Sequence, residues 1–263
     1  MTDAVRSELT KLLARRMLLV AAVLIALSAF AAGFLPPALS ANVMFNRELV
    51  AGSWGVASFG FFLVLVFSCS ASGYEFKARA LATLAVRGRS RAQLMAAKLI
   101  VLAVIAVCAA LLTGLMLAVG WVLGDLVGGF QPNADLDVSE ATAPWAEAFV
   151  RAALVFASGA ILGAMLGTVL RSTAAAIIAG LGAMLFLEGA VSAVIVMTGG
   201  GENGWTPLFF QTLTLIAFGG EQSGSAGDGA GGPTPMGAYV TLACWLAAFV
   251  AIALAVFRAR DIA

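Results

Sequence analysis

Long runs of uncharged apolar residues are the feature that most limits what this chain can fold into. Residues 17–35 carry no charged side chain, and a helix of that length covers about 28 Å at ~1.5 Å of rise per residue. The hydrocarbon core of a bilayer is ~30 Å thick, so one such run is long enough to cross it. The first run therefore predicts a transmembrane helix.

The composition extends this prediction to the whole chain. Hydrophobic residues make up 62% of the sequence and charged residues only 11%, with a mean hydropathy of +1.01. A soluble domain needs far more charge on its surface. We therefore expect an all-α polytopic membrane protein, and the net charge of +1 gives no support for nucleic-acid binding.

Six transmembrane helices are predicted within a single transmembrane domain, residues 1–263. Pro36 and Pro37 are expected to end the first of them, and Trp54 and Trp121 to lie near the outer membrane interface. Residues 206–218 are apolar but too short to cross, which favours a re-entrant or interfacial helix before the last span, predicted as a re-entrant external helix. The predicted spans are residues 17–35, 54–72, 99–123, 148–170, 174–197 and 238–257.

The distribution of Lys and Arg sets the predicted orientation. Before the first span, Val5, Leu9, Leu12 and Leu13 are spaced as on one face of an amphipathic helix, which suits the cytosolic interface. Among the fifteen Lys and Arg residues, those outside this predicted cytosolic side are Arg47 and Arg151. By the positive-inside rule both termini are cytosolic.

The residue inventory disfavours an enzyme. The chain has no His, and its three cysteines, Cys69, Cys108 and Cys244, fall inside apolar runs. Catalysis by Ser-His-Asp or Cys-His groups and His-containing zinc sites are thus excluded, and no metal or cofactor site is expected in this chain.

The basic segment 73–98 separates the second and third spans and holds six of the fifteen Lys and Arg residues. Ser90 and Gln93 fit a capping box that starts a helix continuing into the third span, and Gly88 suits the end of a preceding helix over about 75–86. A basic loop on anionic lipid is the alternative. The helix signals and the apolar residues Phe76, Leu81 and Leu84 favour a surface that docks a partner.

Several short motifs together resemble the membrane subunit of ABC-2 type exporters. They cover essentially the whole chain, although Ala82 stands where the family often has glycine. The motifs are the basic amphipathic start (SELTKLLARR), Glu75, Thr83-Leu84, the run Arg89-Ser90-Arg91 with Leu94 and Lys98, the turn Arg171-Ser172 before Ala174–Ala176, and the terminal Phe257–Ile262.

This resemblance implies a six-helix permease of the bacterial cell membrane that is driven by a separate ATPase subunit. The chain has no G-x-x-x-x-G-K-[ST] phosphate loop, so ATP and Mg would be bound by that partner. A second permease copy, as homodimer or heterodimer, is also implied. The implied coupling residues are Glu75, Phe76, Lys77, Arg79, Leu84, Arg87, Arg89, Ser90 and Arg91.

Two features within the spans carry open alternatives. A glycine recurs every four residues at Gly159, Gly163 and Gly167, so another helix backbone can approach this face closely. The approaching helix belongs either to the same subunit or to a second copy in a dimer. Gly180 is a candidate neighbour. Glu188 is an acid deep within the fifth span, either a substrate or cation contact or a hydrogen-bonded interhelical acid.

The apolar spans favour export of a peptide, drug or lipid-like substrate. A secondary transporter or channel without a motor is the alternative function.

Overall fold

The protein forms a bundle of helices in a computed structural model that describes residues 2–39, 53–77, 91–128, 138–197, 209–217 and 235–259. Outside the junctions 14–15 and 171–172, every residue in these ranges is helical. The helices are α1 Thr2–Leu13, α2 Arg16–Leu39, α3 Phe61–Lys77, α4 Arg91–Gly128, α5 Val138–Leu170, α6 Thr173–Gly182, α7 Glu188–Met197, α8 Phe209–Ala217 and α9 Pro235–Ala259.

Five helices within the described ranges are long and apolar enough to cross a membrane: Arg16–Leu39, Ser53–Tyr74, Met95–Gly128, Trp145–Leu170 and Met236–Val256. The second begins with residues 53–57 and the 3-10 turn Ser58–Gly60, which lead into α3. The predicted span 174–197 is not one regular α-helix, because the π-helical turn Ala183–Leu187 separates α6 from α7.

The expectation that Pro36 and Pro37 end the first span is wrong, since α2 continues to Leu39. A proline within a helix removes one backbone hydrogen bond and distorts the helix. Here both prolines lie in the last turn of the described helix. The carbonyl oxygen of Pro37 also meets Gly128 of α4, so contact with a neighbouring helix supports the chain at this point.

The first and third spans pack closely because glycines line their contact. A Cβ added at Gly120 would lie 2.5 Å from the carbonyl oxygen of Phe30, and one at Gly124 would lie 2.6 Å from that of Phe34. Residue numbers rise together along this contact, so α2 and α4 run parallel. The Gly120, Gly124 and Gly128 spacing is a close-packing motif for membrane helices that the sequence reading did not single out.

A second glycine contact joins α3 to α5. A Cβ added at Gly163 would lie 2.6 Å from the carbonyl oxygen of Leu65, and one at Gly167 would lie 2.6 Å from the Cβ of Ser72. The glycine stripe of α5 therefore packs against the second span of the same chain. Gly180 does not meet this stripe directly, since its nearest neighbours are the side chains of Leu166 and Leu65.

The alternation of helix directions is fixed by contacts between α2 and α3. Arg15, just before α2, reaches Ser70 near the end of α3, while Ile25, further along α2, meets Gly60 before α3 begins. These two helices are therefore antiparallel. Gly163 and Gly167 of α5 meet Leu65 and Ser72 of α3 in the same order, so α3 and α5 are parallel. The first four long helices therefore alternate in direction.

Trp54, at the start of the second candidate span, is buried between helices. It is 2% exposed, and its ring packs edge-on against Trp145 at 5.7 Å between centroids. A Cβ at Gly114 would lie 2.8 Å from this indole. Trp121 is likewise buried. The aromatic rings at this end thus fill the space between helices.

Helix α8 has nine residues and packs between α5 and α9. Phe209 contacts Phe249 at 5.1 Å between ring centroids and Trp245 at 6.2 Å. Its Thr212 and Leu213 are buried. A helix of this length cannot cross a bilayer. Its apolar face packs against α9.

Candidate functional site

The first feature of the candidate site is α1, which packs on the bundle. Leu12 is 1% exposed, and Val5 and Leu9 pack against the hydrophobic core. Leu13, predicted on the same face, is instead 59% exposed. The amphipathic helix therefore buries a narrower apolar face than the sequence indicated, and it does so against α4.

Two charged residues are buried where α1 and α4 pack together. Glu8 of α1 is 6% exposed and Lys98 of α4 is 7% exposed. A carboxylate oxygen of Glu8 lies 2.6 Å from Nζ of Lys11, and its other oxygen, Oε2, has no hydrogen-bond partner within the described part of the chain. Burying a charge is costly unless the charge is paired, so the buried carboxylate of Glu8 depends on the geometry of its ion pair with Lys11.

Arg15 connects the junction before α2 to the end of α3. Its Nη1 donates a hydrogen bond to the carbonyl oxygen of Ser70 at 3.3 Å. Its guanidinium carbon lies 5.0 Å from the centre of the Tyr74 ring, which is within the range of a cation–π interaction. Arg15 thus fixes the start of the first span against the end of the second.

The turn between α5 and α6 lies at the same end. Arg171 has a φ of 53°, in the left-handed region, and its N–H bonds the carbonyl oxygen of Gly167 at 3.1 Å. The Ser172 hydroxyl accepts the Ala175 N–H at 3.4 Å and caps α6. A Cβ added at Gly73 of α3 would lie 2.8 Å from the Thr173 nitrogen, so this turn contacts the end of α3.

These elements form what we term the basic end of the bundle, where α2, α4 and α6 begin and α3 and α5 end. Arg15, Arg16, Lys98 and Arg171 lie there by the contacts and helix directions given above. Lys77 and Arg91, at the end of α3 and the start of α4, lie at the same end. By contrast, Arg151 pairs with Glu147 towards the other end of α5.

The predicted coupling residues divide between described and undescribed parts of the chain. Glu75, Phe76 and Lys77 continue α3 without a break, and Arg91 belongs to α4. The other predicted coupling residues, Arg79, Leu84, Arg87, Arg89 and Ser90, lie outside the described residues, as does Gly88. Both ends of the segment 78–90 are therefore attached to long helices that enter the bundle.

Glu188 lies apart from the basic end. It is half-buried and follows the π-helical turn Ala183–Leu187, where its N–H bonds the carbonyl oxygen of Ala183, five residues back. Fifteen residues separate it from Thr173, about 22 Å along a helix at ~1.5 Å per residue. π-helical turns occur often at functional sites, and the apolar sequence around Glu188 gave no signal of this one.

The fold and the apolar helices define the class of this protein: it is a helical polytopic membrane protein. Its residues 19–263 match the family described as "Protein of unknown function (DUF2705)". Because the match covers nearly all of the chain, the chain belongs to this family. None of the curated proteins matches it.

Proposed function

We propose that the chain is the membrane subunit of an ATP-driven exporter of the ABC-2 type. It would move an apolar or amphipathic substrate, such as a peptide, drug or lipid-like compound, out of a bacterial cell. A separate ATPase subunit, binding ATP and Mg, would dock on residues 75–98. A second permease copy would complete the transporter.

The observation that carries this proposal is the convergence at the basic end. The segment 78–90 joins α3 directly to α4, and α4 has 38 residues, about 57 Å at ~1.5 Å per residue. A helix of that length exceeds the ~30 Å hydrocarbon core. Movement of a docked partner at 78–90 would therefore be transmitted through two rigid helices into the bundle.

Contacts between helices at the basic end of the bundle support the proposal. Arg15 holds the start of α2 on Ser70 and Tyr74, and Gly73 brings the α5–α6 turn against α3. A force applied at residues 75–77 would reach the starts of α2 and α6 through these contacts. A loop that only balances the charge of lipid headgroups does not need such connections.

The proposal includes six spans with both termini in the cytoplasm. Besides the five candidate spans, residues 173–197 would form the fifth span in chain order, in which α6, the π-helical turn and α7 follow one another as 25 residues, about 37 Å of helix at ~1.5 Å per residue. The Lys and Arg residues of the basic end would then face the cytoplasm. Helix α8 would be the re-entrant element on the outer side.

Co-purification tests the proposal. If a neighbouring reading frame encodes an ATPase with a phosphate loop, we expect the two chains to purify together from membranes. Arg89→Glu and Arg91→Glu together should abolish this association and the ATP turnover that depends on it, because opposite charge would face the partner. Arg47→Glu, on the predicted outer side, is the matched control. Unchanged association in the double variant would contradict the proposal.

A secondary transporter or channel without a motor is the second candidate. The specific observation in its favour is Glu188 beside a π-helical turn in the proposed fifth span. Irregular helices with intramembrane acids are typical of such transporters. Vesicles containing this chain alone would then transport substrate on an ion gradient without ATP, and the exporter proposal predicts no such transport.

A further inference from the structure

A cavity of about 220 Å³ lies between α1, α2, α3 and α4, separate from the proposed coupling segment. Leu9 of α1 and Ile25 of α2 form part of its wall, with Phe67 of α3 and Val104 and Cys108 of α4. None of the described residues that line it is charged. The cavity lies beside the contact of α2 with α4, on the side of that contact towards the basic end.

The size and lining of this cavity select an apolar occupant. A cavity of about 150 Å³ lined by Leu, Ile and Phe remains dry and takes up apolar molecules. The cavity here is larger, and its described lining residues do not offer the two to four polar partners that a buried water needs. If the cavity were empty, the side chains that line it would lack dispersion contacts on the cavity side.

The cavity opens towards the outside of the bundle. Leu13 and Val104, which line it, are 59% and 48% exposed, and Cys108 is also exposed. Because α2 and α4 cross the membrane, the medium outside this opening is lipid. Further along the same two helices, the close contacts at Gly120 and Gly124 close the space between them.

The position of the cavity matches one leaflet. Its lining on α4 runs from Val104 to Leu112, about 12 Å at ~1.5 Å per residue, which is less than half of a ~30 Å hydrocarbon core. Arg16, two residues before the lining residue Leu18, is exposed and makes no ion pair within the described ranges. A cation at this level attracts anionic headgroups.

We propose that this cavity binds one acyl chain of an anionic phospholipid from the leaflet at the basic end. The acyl chain fills the space between α2 and α4, and the headgroup lies near Arg16. The site thus binds one lipid molecule at the part of the bundle where α1 packs. This inference is independent of whether an ATPase partner exists.

Photo-crosslinking tests the site in the full chain. The protein is placed in nanodiscs that contain phosphatidylglycerol with a diazirine in one acyl chain, and the crosslinked residues are mapped by mass spectrometry. We expect labelling concentrated on cavity residues such as Val104 and Cys108, well above the exposed residues of α9. Uniform labelling of all exposed apolar positions, or an unlabelled cavity, would overturn the proposal.

Two variants separate the cavity from the general lipid surface. Ala22 lines the cavity, so Ala22→Phe should remove the excess labelling. Ala103→Phe, on the exposed side of α4, should retain it. Persistence of the excess in Ala22→Phe would contradict the site. If Ala22→Phe fails to fold, the wild-type labelling pattern still decides.

The headgroup is tested by comparing lipids. Arg16→Gln should lower the preference for phosphatidylglycerol over phosphatidylcholine, with the same diazirine chain, by about fivefold, as expected for one cation near the membrane surface. Equal labelling by both lipids in the wild type would overturn the anionic part of the proposal.

Discussion

At the scale of single residues, Arg15 and Arg16 show how neighbouring cations differ in role. Both belong to the run SELTKLLARR, and the charge pattern predicts the same role for both, as cations on the cytosolic side. In the structure Arg15 bonds Ser70 and lies over Tyr74, whereas Arg16 is exposed. Which of two adjacent arginines faces the bundle depends on the turn at 14–15, which the charge pattern does not encode.

Replacing Arg15 should therefore destabilise the protein more than replacing Arg16. Arg15→Ala loses one hydrogen bond and one cation–π contact, so we expect a loss of about 1–2 kcal/mol in the free energy of unfolding. Arg16→Ala should change it by less than about 0.5 kcal/mol, as at most surface positions. Unfolding in detergent micelles measures both, and equal effects of the two variants would contradict the assigned contacts.

The sequence shows Glu188 as an acid within an apolar run, but it does not predict the π-helical turn that precedes this residue. The π-helical turn before it depends on how residues 183–187 pack and on no local composition signal. Glu188→Gln keeps the size and removes the charge. We predict a several-fold loss of substrate export with unchanged association with the ATPase. Normal export by the fully assembled variant would remove the transport role of this carboxylate.

At the scale of helices, apolar length located the five long helices, and the positions of their ends were less predictable. The second span was predicted as 54–72, and the candidate span Ser53–Tyr74 belongs to a helix that continues to Lys77. Proline at 36 and 37 did not stop α2, because α4 supports that last turn through Gly124 and Gly128. Helix ends in this chain are set by neighbouring helices, which a single-sequence pattern does not contain.

The glycine stripe of α5 allows a test of close packing between helices. Gly163→Ala would place a Cβ 2.6 Å from a backbone oxygen of α3, which neither helix can relieve by a rotamer change. We expect a loss of about 1–3 kcal/mol in unfolding free energy from overpacking. Thermal unfolding in detergent measures the loss.

Two matched variants control for this effect. Ser68, on the other side of the same contact, has a buried hydroxyl without a hydrogen-bond partner among the described residues, so Ser68→Ala should be nearly neutral. An added Cβ at Gly182 meets nothing within 4 Å, so Gly182→Ala should be neutral or stabilising by up to about 1 kcal/mol. A Gly163→Ala protein as stable as these controls would contradict the packing of α3 on α5.

At the scale of the whole molecule, the sequence predicted an all-α membrane protein, and the structure confirms that class with five candidate spans. The positive-inside rule grouped the Lys and Arg residues on one side, and the contacts of Arg15 and Gly73 bring several of these segments to one end. The cavity near Ile25 had no sequence signal, because an apolar residue facing a void has the same pattern as one facing a neighbour.

Accessibility to a reagent tests the six-span topology. In a chain with Cys69, Cys108 and Cys244 replaced by Ala, Gly204→Cys should react from the outer side of the membrane with a maleimide that cannot cross it. Ser90→Cys should react only after the membrane is opened. If 173–197 did not cross, position 204 would share the side of position 90, and the two cysteines would react under the same condition.

The central claim is that residues 75–98 receive a separate ATPase. The most direct measurement is disulfide crosslinking between Arg87→Cys in the cysteine-free chain and cysteines placed along the surface of the co-expressed ATPase. The account predicts a crosslinked product of the two chains for position 87 and none for Arg47→Cys. Absence of the product at position 87, or equal amounts at both positions, would contradict it.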